Sequence, residues 1–112
     1  GSFFGEHRIE GKVGRDVTLE DARLGARYCM LNTLAVLEEY LGDLNRIQRV
    51  VKLLAFVSSD DGFYQQPAVV NGASQLLLDL WGEQGRHARS AIAVNTLPSN
   101  LSVEIEAIFT LK

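Results

Sequence analysis

Arg89, Glu104 and Glu106 are charged residues set in two strand-like apolar runs, Ala88 to Val94 and Val103 to Ile108. A guanidinium presents a planar fork that grips a carboxylate through two parallel hydrogen bonds, so it fixes orientation as well as charge. Period-two alternation puts Arg89, Ala91 and Ala93 on one face and Ser90, Ile92 and Val94 on the other. Small residues beside the arginine leave room for a ligand. Glu104 and Glu106 lie two apart and share a face, where one can neutralise the arginine while the other holds a water or acts as general base. The plainer alternative is an ion pair across the sheet, Arg89 with Glu104 or Glu106, or two solvated glutamates.

Other candidates are weaker. Asn71, a neutral donor and acceptor, either lines a pocket or caps and bends the local backbone beside Gly72. His87 either borders a pocket with Arg89 or is an exposed strand-end histidine. Neither His7 nor His87 has a partner at metal-ligand spacing, and no Cys/His pattern resembles a zinc site. Cys29 is the single cysteine and cannot form an internal disulfide. It falls in a helical apolar stripe, which makes it a small core residue rather than a nucleophile. Gly11 and Gly14 lack the Lys-Ser/Thr ending and the strand-then-helix frame of a phosphate loop. Arg46, Arg49 and Lys52 form a small basic patch without interleaved aromatics.

These residues need elements to hold them. Arg8 to Val13 alternates weakly between glycines, which predicts a short edge strand or hairpin arm. Thr18 offers a helix cap, with Asp21 three residues later. From there Ala22, Ala26, Cys29, Met30, Thr33, Leu34, Leu37 and Leu41 recur at helical spacing until Gly42 stops the run. Asn45 to Ser58 is β-rich and apolar on both alternating faces, so it must be covered on both. Helices supply one cover; in so small a chain a second subunit is the economical other. After the turn Asp60-Asp61-Gly62, Pro67 opens a second amphipathic helix carrying Val70, Ala73, Leu76, Leu77, Leu80 and Trp81, ending around Gly82 and Gly85. Two closing strands follow, from about Ala88 to Val94 and from about Leu101 to Leu111, joined through Leu97-Pro98-Ser99-Asn100. The order β-α-β-α-β-β predicts an α+β sandwich, a sheet with two helices packed on one face.

With 112 residues the chain is expected to form one domain over residues 1–112. A hydrophobic content of 46% and a charged content of 22% argue for a packed globule rather than disorder. A net charge of -3 gives no general attraction to nucleic acid or to an anionic membrane, so any anion site must be local. No apolar run approaches the ~20 residues that span a bilayer. With no signal-peptide pattern in the chain, a cytoplasmic home is the default expectation. The opening Gly1-Ser2-Phe3-Phe4-Gly5 places two aromatics at the chain start, where they must belong to a strand or an interface. It reads either as the middle of an element or, at Gly1-Ser2, as an appended remnant.

Several of these runs together carry a resemblance. Gln66-Pro67, Val70-Asn71-Gly72-Ala73-Ser74, Gly85-Arg86-His87-Ala88-Arg89-Ser90-Ala91, Leu97-Pro98 and Val103-Glu104-Ile105-Glu106-Ala107 resemble the RidA/YjgF family. So does Gly42-Asp43-Leu44 leading into Ile47 to Ser58, and the similarity runs from about Gly11 to Leu111. The resemblance implies a chorismate-mutase-like α+β fold assembled as a homotrimer, with sites in clefts between subunits. It implies hydrolysis of reactive enamines and imines, small 2-imino acids, to 2-keto acids and ammonia. By similarity Arg89 binds the substrate carboxylate, Glu104 holds the attacking water, Asn71 lines the cleft, and backbone groups at Ser90 and Ala91 complete it. An imine is already electrophilic, so this chemistry needs no metal and no cofactor. The chain departs from the family at Ala91, where many members carry a Cys. Members also begin with a further segment and strand that give a Tyr and a Ser-Gly pair to the site, and this chain starts at about the end of that strand. Two other functions stand beside the deaminase. One is a non-catalytic carboxylate-binding trimer, acting as a sensor or regulatory subunit. The other is a ribonuclease, against which the pI of 5.3 and the lack of a base-stacking aromatic stripe argue.

Overall fold

A helix of 23 residues, α1 (Leu19–Leu41), forms where the apolar stripe predicts it, in a computed structural model that describes residues 1–112. The Thr18 hydroxyl accepts a hydrogen bond from the Asp21 amide at 3.1 Å, a cap of the kind that stabilises a helix by about 1 kcal/mol. Gly42 ends it at φ +83°, its amide donating to the Glu38 carbonyl at 2.8 Å. The stripe Ala22, Ala26, Cys29, Met30, Leu34 and Leu41 is buried. The second helix, α2 (Gln66–Trp81), carries Pro67 in its first turn, where a missing amide proton costs nothing. It buries Val69, Val70, Ala73, Leu76 and Leu77. The helices touch at Gly72, where a Cβ would stand 2.0 Å from the Arg23 carbonyl oxygen. Only glycine permits that approach.

Beneath the helices lies a three-stranded mixed sheet. Its centre is β3 (Ile47–Ser58), with β4 (Ala88–Val94) parallel along one edge and β5 (Val103–Leu111) antiparallel along the other. The parallel β3–β4 pair follows from the crossover through α2 between them. Leu53, Ala55 and Val57 turn to the helices and are fully buried, joined in the core by Val103. The register pairs Leu53 with Arg89, Ala55 with Ala91 and Val57 with Ala93, so the β4 alternation expected from sequence holds and Arg89 is on the helix side. On the other face Leu54, Phe56, Ile92 and Ile108 stand with Ser90, Glu104 and Glu106. Nothing in the chain covers that face: Ile92 is 43% and Ile108 58% exposed.

The chain start differs from the expectation. The paired strands are β1 (Phe3–Phe4) and β2 (His7–Arg8), a hairpin turning at Gly5 with φ +60°, rather than Arg8 to Val13. Gly11 and Gly14 hold φ of +104° and +94°, which breaks the pleat. Glu10 and Val13 are left with isolated bridges to Leu101, Val17 and Ser59. Asp16 steadies this turn, accepting from the Lys12 amide at 2.9 Å and from Arg15 at 3.0 Å. Ser2 is fully buried; it donates to the Ile9 carbonyl at 2.8 Å and accepts from the amides of Ser102 and Val103. These bonds tie Ser2 into the fold. Phe4 stacks on Tyr28 of α1 at 5.7 Å, which accounts for an aromatic at the chain start.

Two boundaries also shift. The central strand starts at Ile47 because Leu44–Arg46 form a 3₁₀ turn capped by the Asp43 carboxylate, which accepts from the Asn45 amide at 2.8 Å. The last strand starts at Val103 because Ser99 and Asn100 adopt positive φ and throw Leu101 out of line. Cys29 is buried and donates to the Val103 carbonyl at 3.3 Å; burial pushes its thiol up to about 11. It stays protonated at neutral pH and belongs to the core. No helix is long and apolar enough to cross a membrane.

Candidate functional site

Where α2 passes the β4 edge it leaves a cleft of about 330 Å³ lined by Asn71, Ser74, Leu78, Arg86, His87 and Arg89. Asn71, Ser74 and Leu78 fall three and four residues apart, so they form one stripe along α2. Of the other three, Arg86 and His87 link the last turn to β4 and Arg89 belongs to β4 itself. That turn, Gly82–Gly85, is pressed onto the end of α2: a Cβ at Gly85 would lie 2.3 Å from the Leu77 carbonyl oxygen. The close approach brings His87 against Ser74.

The polar groups of the cleft are ordered as a chain. The Gly85 carbonyl can only accept, so His87 Nδ1, 2.6 Å away, carries the ring proton. In the neutral ring Nε2 is then the acceptor, and the Ser74 hydroxyl donates to it at 2.8 Å. Arg89 donates from one terminal nitrogen to Ser74 Oγ at 3.0 Å and from the other to the Pro67 carbonyl at 3.2 Å. The guanidinium is therefore held in place by neutral acceptors. It has no carboxylate partner, since the ion pairs of the chain are Arg8–Glu10, Arg15–Asp16 and Arg86–Glu83. Two protein acceptors do not exhaust its five donors. A positive charge held at a cleft by neutral groups keeps donors free to meet an anion.

Arg89 and Asn71 are thus brought together. The other residues singled out from sequence lie elsewhere. Ala91 is next along the same face of β4, opposite Ala55, and Ser90 turns to the open face opposite Leu54; neither lines the cleft. Glu104 pairs with Phe56 and Glu106 with Leu54, on the far side of β3 and on the open face. The alternative of a direct Arg89–Glu104 or Arg89–Glu106 pair across the sheet is therefore corrected: a strand separates them, and they point to opposite faces. Sequence reasoning gave Ser74 no role, although its position three residues after Asn71 placed it on the same helix stripe. His87 borders the pocket with Arg89, the first of the two readings open to it.

Two helices over a mixed three-stranded sheet, with an arginine-bearing cleft at the sheet edge, define a chorismate-mutase-like α+β protein. The chain belongs to the family described as "YjgF/chorismate mutase-like, putative endoribonuclease", which matches residues 2–110. Protein TCP17 of Trypanosoma cruzi is 43% identical over 104 residues, which are 92% of this chain and 65% of that protein. The chain thus spans just under two thirds of this relative's length. The crystal structure of Atu1372, a protein of unknown function from Agrobacterium tumefaciens, is 46% identical with a TM-score of 0.93, over 96% of this chain and 70% of that one. A "putative endoribonuclease" from Shewanella oneidensis is 28% identical with a TM-score of 0.92, over 97% of this chain and 72% of that one.

Proposed function

We propose that this chain hydrolyses small 2-imino acids to 2-keto acids and ammonia, as a homotrimer whose clefts join Arg89 of one copy to Glu104 of a neighbour. The observation that carries the reading is the guanidinium of Arg89, pre-oriented and unneutralised at the mouth of a cleft lined by only one apolar residue, Leu78. It would take the substrate carboxylate in a two-bonded grip, with the Asn71 amide beside it. Water held by a carboxylate adds to the C=N carbon, and the tetrahedral adduct collapses to C=O as ammonia leaves. Arg89 draws negative charge away from the reacting carbon in that step. Glu104 lies on the wrong face to reach Arg89 of its own chain, so the proposal requires a second copy. The uncovered apolar residues Ile92 and Ile108 on the Glu104 face are what such a copy would bury.

The same separation of Arg89 from Glu104 favours a second reading, a module that binds a small carboxylate without turnover. The cleft holds no Phe, Tyr or Trp on which a base could stack, and its one ring, His87, is engaged by Ser74 and the Gly85 carbonyl, which weighs against action on RNA. The test generates 2-aminoacrylate with a pyridoxal-phosphate lyase and follows pyruvate release. Acceleration over buffer that disappears in Arg89→Ala supports the deaminase. Stabilisation by 2-keto acids without acceleration supports the binding module.

A further inference from the structure

Ser74 does not behave like an ordinary helix-interior hydroxyl. Such a group ordinarily points to solvent or bonds back to the carbonyl four residues earlier. Thr33 does so in α1, donating to the Cys29 carbonyl at 3.0 Å. Ser74 instead turns away from its own helix and meets His87 Nε2 at 2.8 Å, at the wall of the cleft. The imidazole is aligned on its far side by the Gly85 carbonyl at 2.6 Å, and that carbonyl belongs to a turn locked against α2. A hydroxyl, a base accepting its proton, and a third group orienting the base are the parts of an activated nucleophile.

We propose that Ser74 is a nucleophile and His87 its general base, so that the cleft acts on small acyl compounds, esters above all, that carry a carboxylate. This activity is separate from imine hydrolysis and uses groups of one chain only. Ser74 Oγ attacks the ester carbonyl carbon as its proton passes to His87 Nε2. The C–O π pair moves onto oxygen, where the exposed amide of Asn71, one turn earlier on α2, can donate to it. Collapse of the adduct breaks the bond to the alcohol, which leaves with the proton from His87. Water, deprotonated by His87, then attacks the acyl-serine and releases the acid, restoring the hydroxyl. Arg89 serves this sequence twice. Its bond to Ser74 Oγ at 3.0 Å favours the negative charge that builds on Oγ as the proton leaves for His87, and its remaining donors select a substrate carboxylate.

Diisopropyl fluorophosphate tests the pair directly, because it phosphorylates an activated serine with loss of fluoride and needs no imine. The expected result is one adduct per chain by intact mass, mapped to Ser74 by peptide sequencing. It should be absent in Ser74→Ala and form at least tenfold more slowly in His87→Gln, with both variants shown folded by circular dichroism. Succinate, as an Arg89 occupant, should slow labelling. A chain that stays unmodified at Ser74, or is modified as fast in His87→Gln, overturns the proposal. The deaminase reading is untouched by either outcome, since pyruvate release is measured separately.

Discussion

The two faces of the sheet carry charge in opposite ways. On the helix side Arg89 is fixed by the Ser74 hydroxyl and the Pro67 carbonyl, and Ser74 is fixed in turn by His87. On the open side Glu104 and Glu106 have no ion-pair partner and stand among apolar side chains that nothing covers. Order within one chain marks the first as a preformed arrangement. The second is an apolar surface studded with carboxylates that this chain leaves open. The difference teaches that strand charges which look like one site in sequence can belong to two surfaces, one ordered within the chain and one left uncovered by it.

The sharpest way to break this contrast is to remove the order of the helix side. Gly72→Ala puts a methyl group 2.0 Å from a backbone oxygen of α1, and the helices must part. We expect a loss of about 3 kcal/mol in urea denaturation, with ligand binding lost alongside. A stable Gly72→Ala chain with an intact cleft would show that the helix side tolerates slack and is not preformed. Next in size is Arg89→Ala. Losing a charged two-bonded grip should lower turnover of 2-iminobutyrate by about 100-fold, and Arg89→Lys should recover little because an ammonium lacks the fork. Turnover that persists in Arg89→Ala would detach the chemistry from the cleft.

Much of this was legible in the sequence. Helical spacing found α1 and its ends because Thr18 and Gly42 act locally, within a turn of where they stand. Period-two alternation found which residues of β4 and β5 share a face for the same reason. Strand order was another matter. Two strands joined by a short turn suggest neighbours, and only the crossover through α2 and the long antiparallel return place β3 between them. The alternative of an Arg89 pair with Glu104 or Glu106 within one chain failed on that non-local fact. The Ser74–His87 bond was hidden similarly, since it depends on Gly85 pressing a turn onto the end of α2. The N-terminal hairpin lies outside the expected Arg8 to Val13 run because Gly11 and Gly14, which look in sequence like strand boundaries, have a left-handed backbone that interrupts the pleat.

Joining the two faces across copies makes a prediction that neither face makes alone. A chain with Arg89→Ala keeps Glu104, and a chain with Glu104→Gln keeps Arg89. Each is inactive by itself if the cleft needs both. Co-refolded in equal amounts, they should regain about a quarter of the wild-type imine turnover, because about one interface in four pairs the two intact halves. The measurement is pyruvate release from the mixed sample against either variant alone. No recovery, in a sample shown by light scattering to be a mixed trimer, would return Glu104 to the status of a solvated strand residue.

The finest comparison lies within the open face. Glu104 sits in the row of Phe56 and Ile92, and Glu106 in the row of Leu54 and Ser90, one pleat further along. Both are strand glutamates on one surface, so screening and charge alone would make them interchangeable. A water-holding role does not, because it demands one position relative to a carboxylate anchored on the neighbouring copy. Glu106→Gln should therefore change stability by less than about 0.5 kcal/mol and leave imine turnover at the wild-type level, while Glu104→Gln removes it. Steady-state pyruvate release and urea denaturation on the pair of variants decide the matter. Equal losses at both positions would mean that the face contributes only its field, and that the water is held by something else.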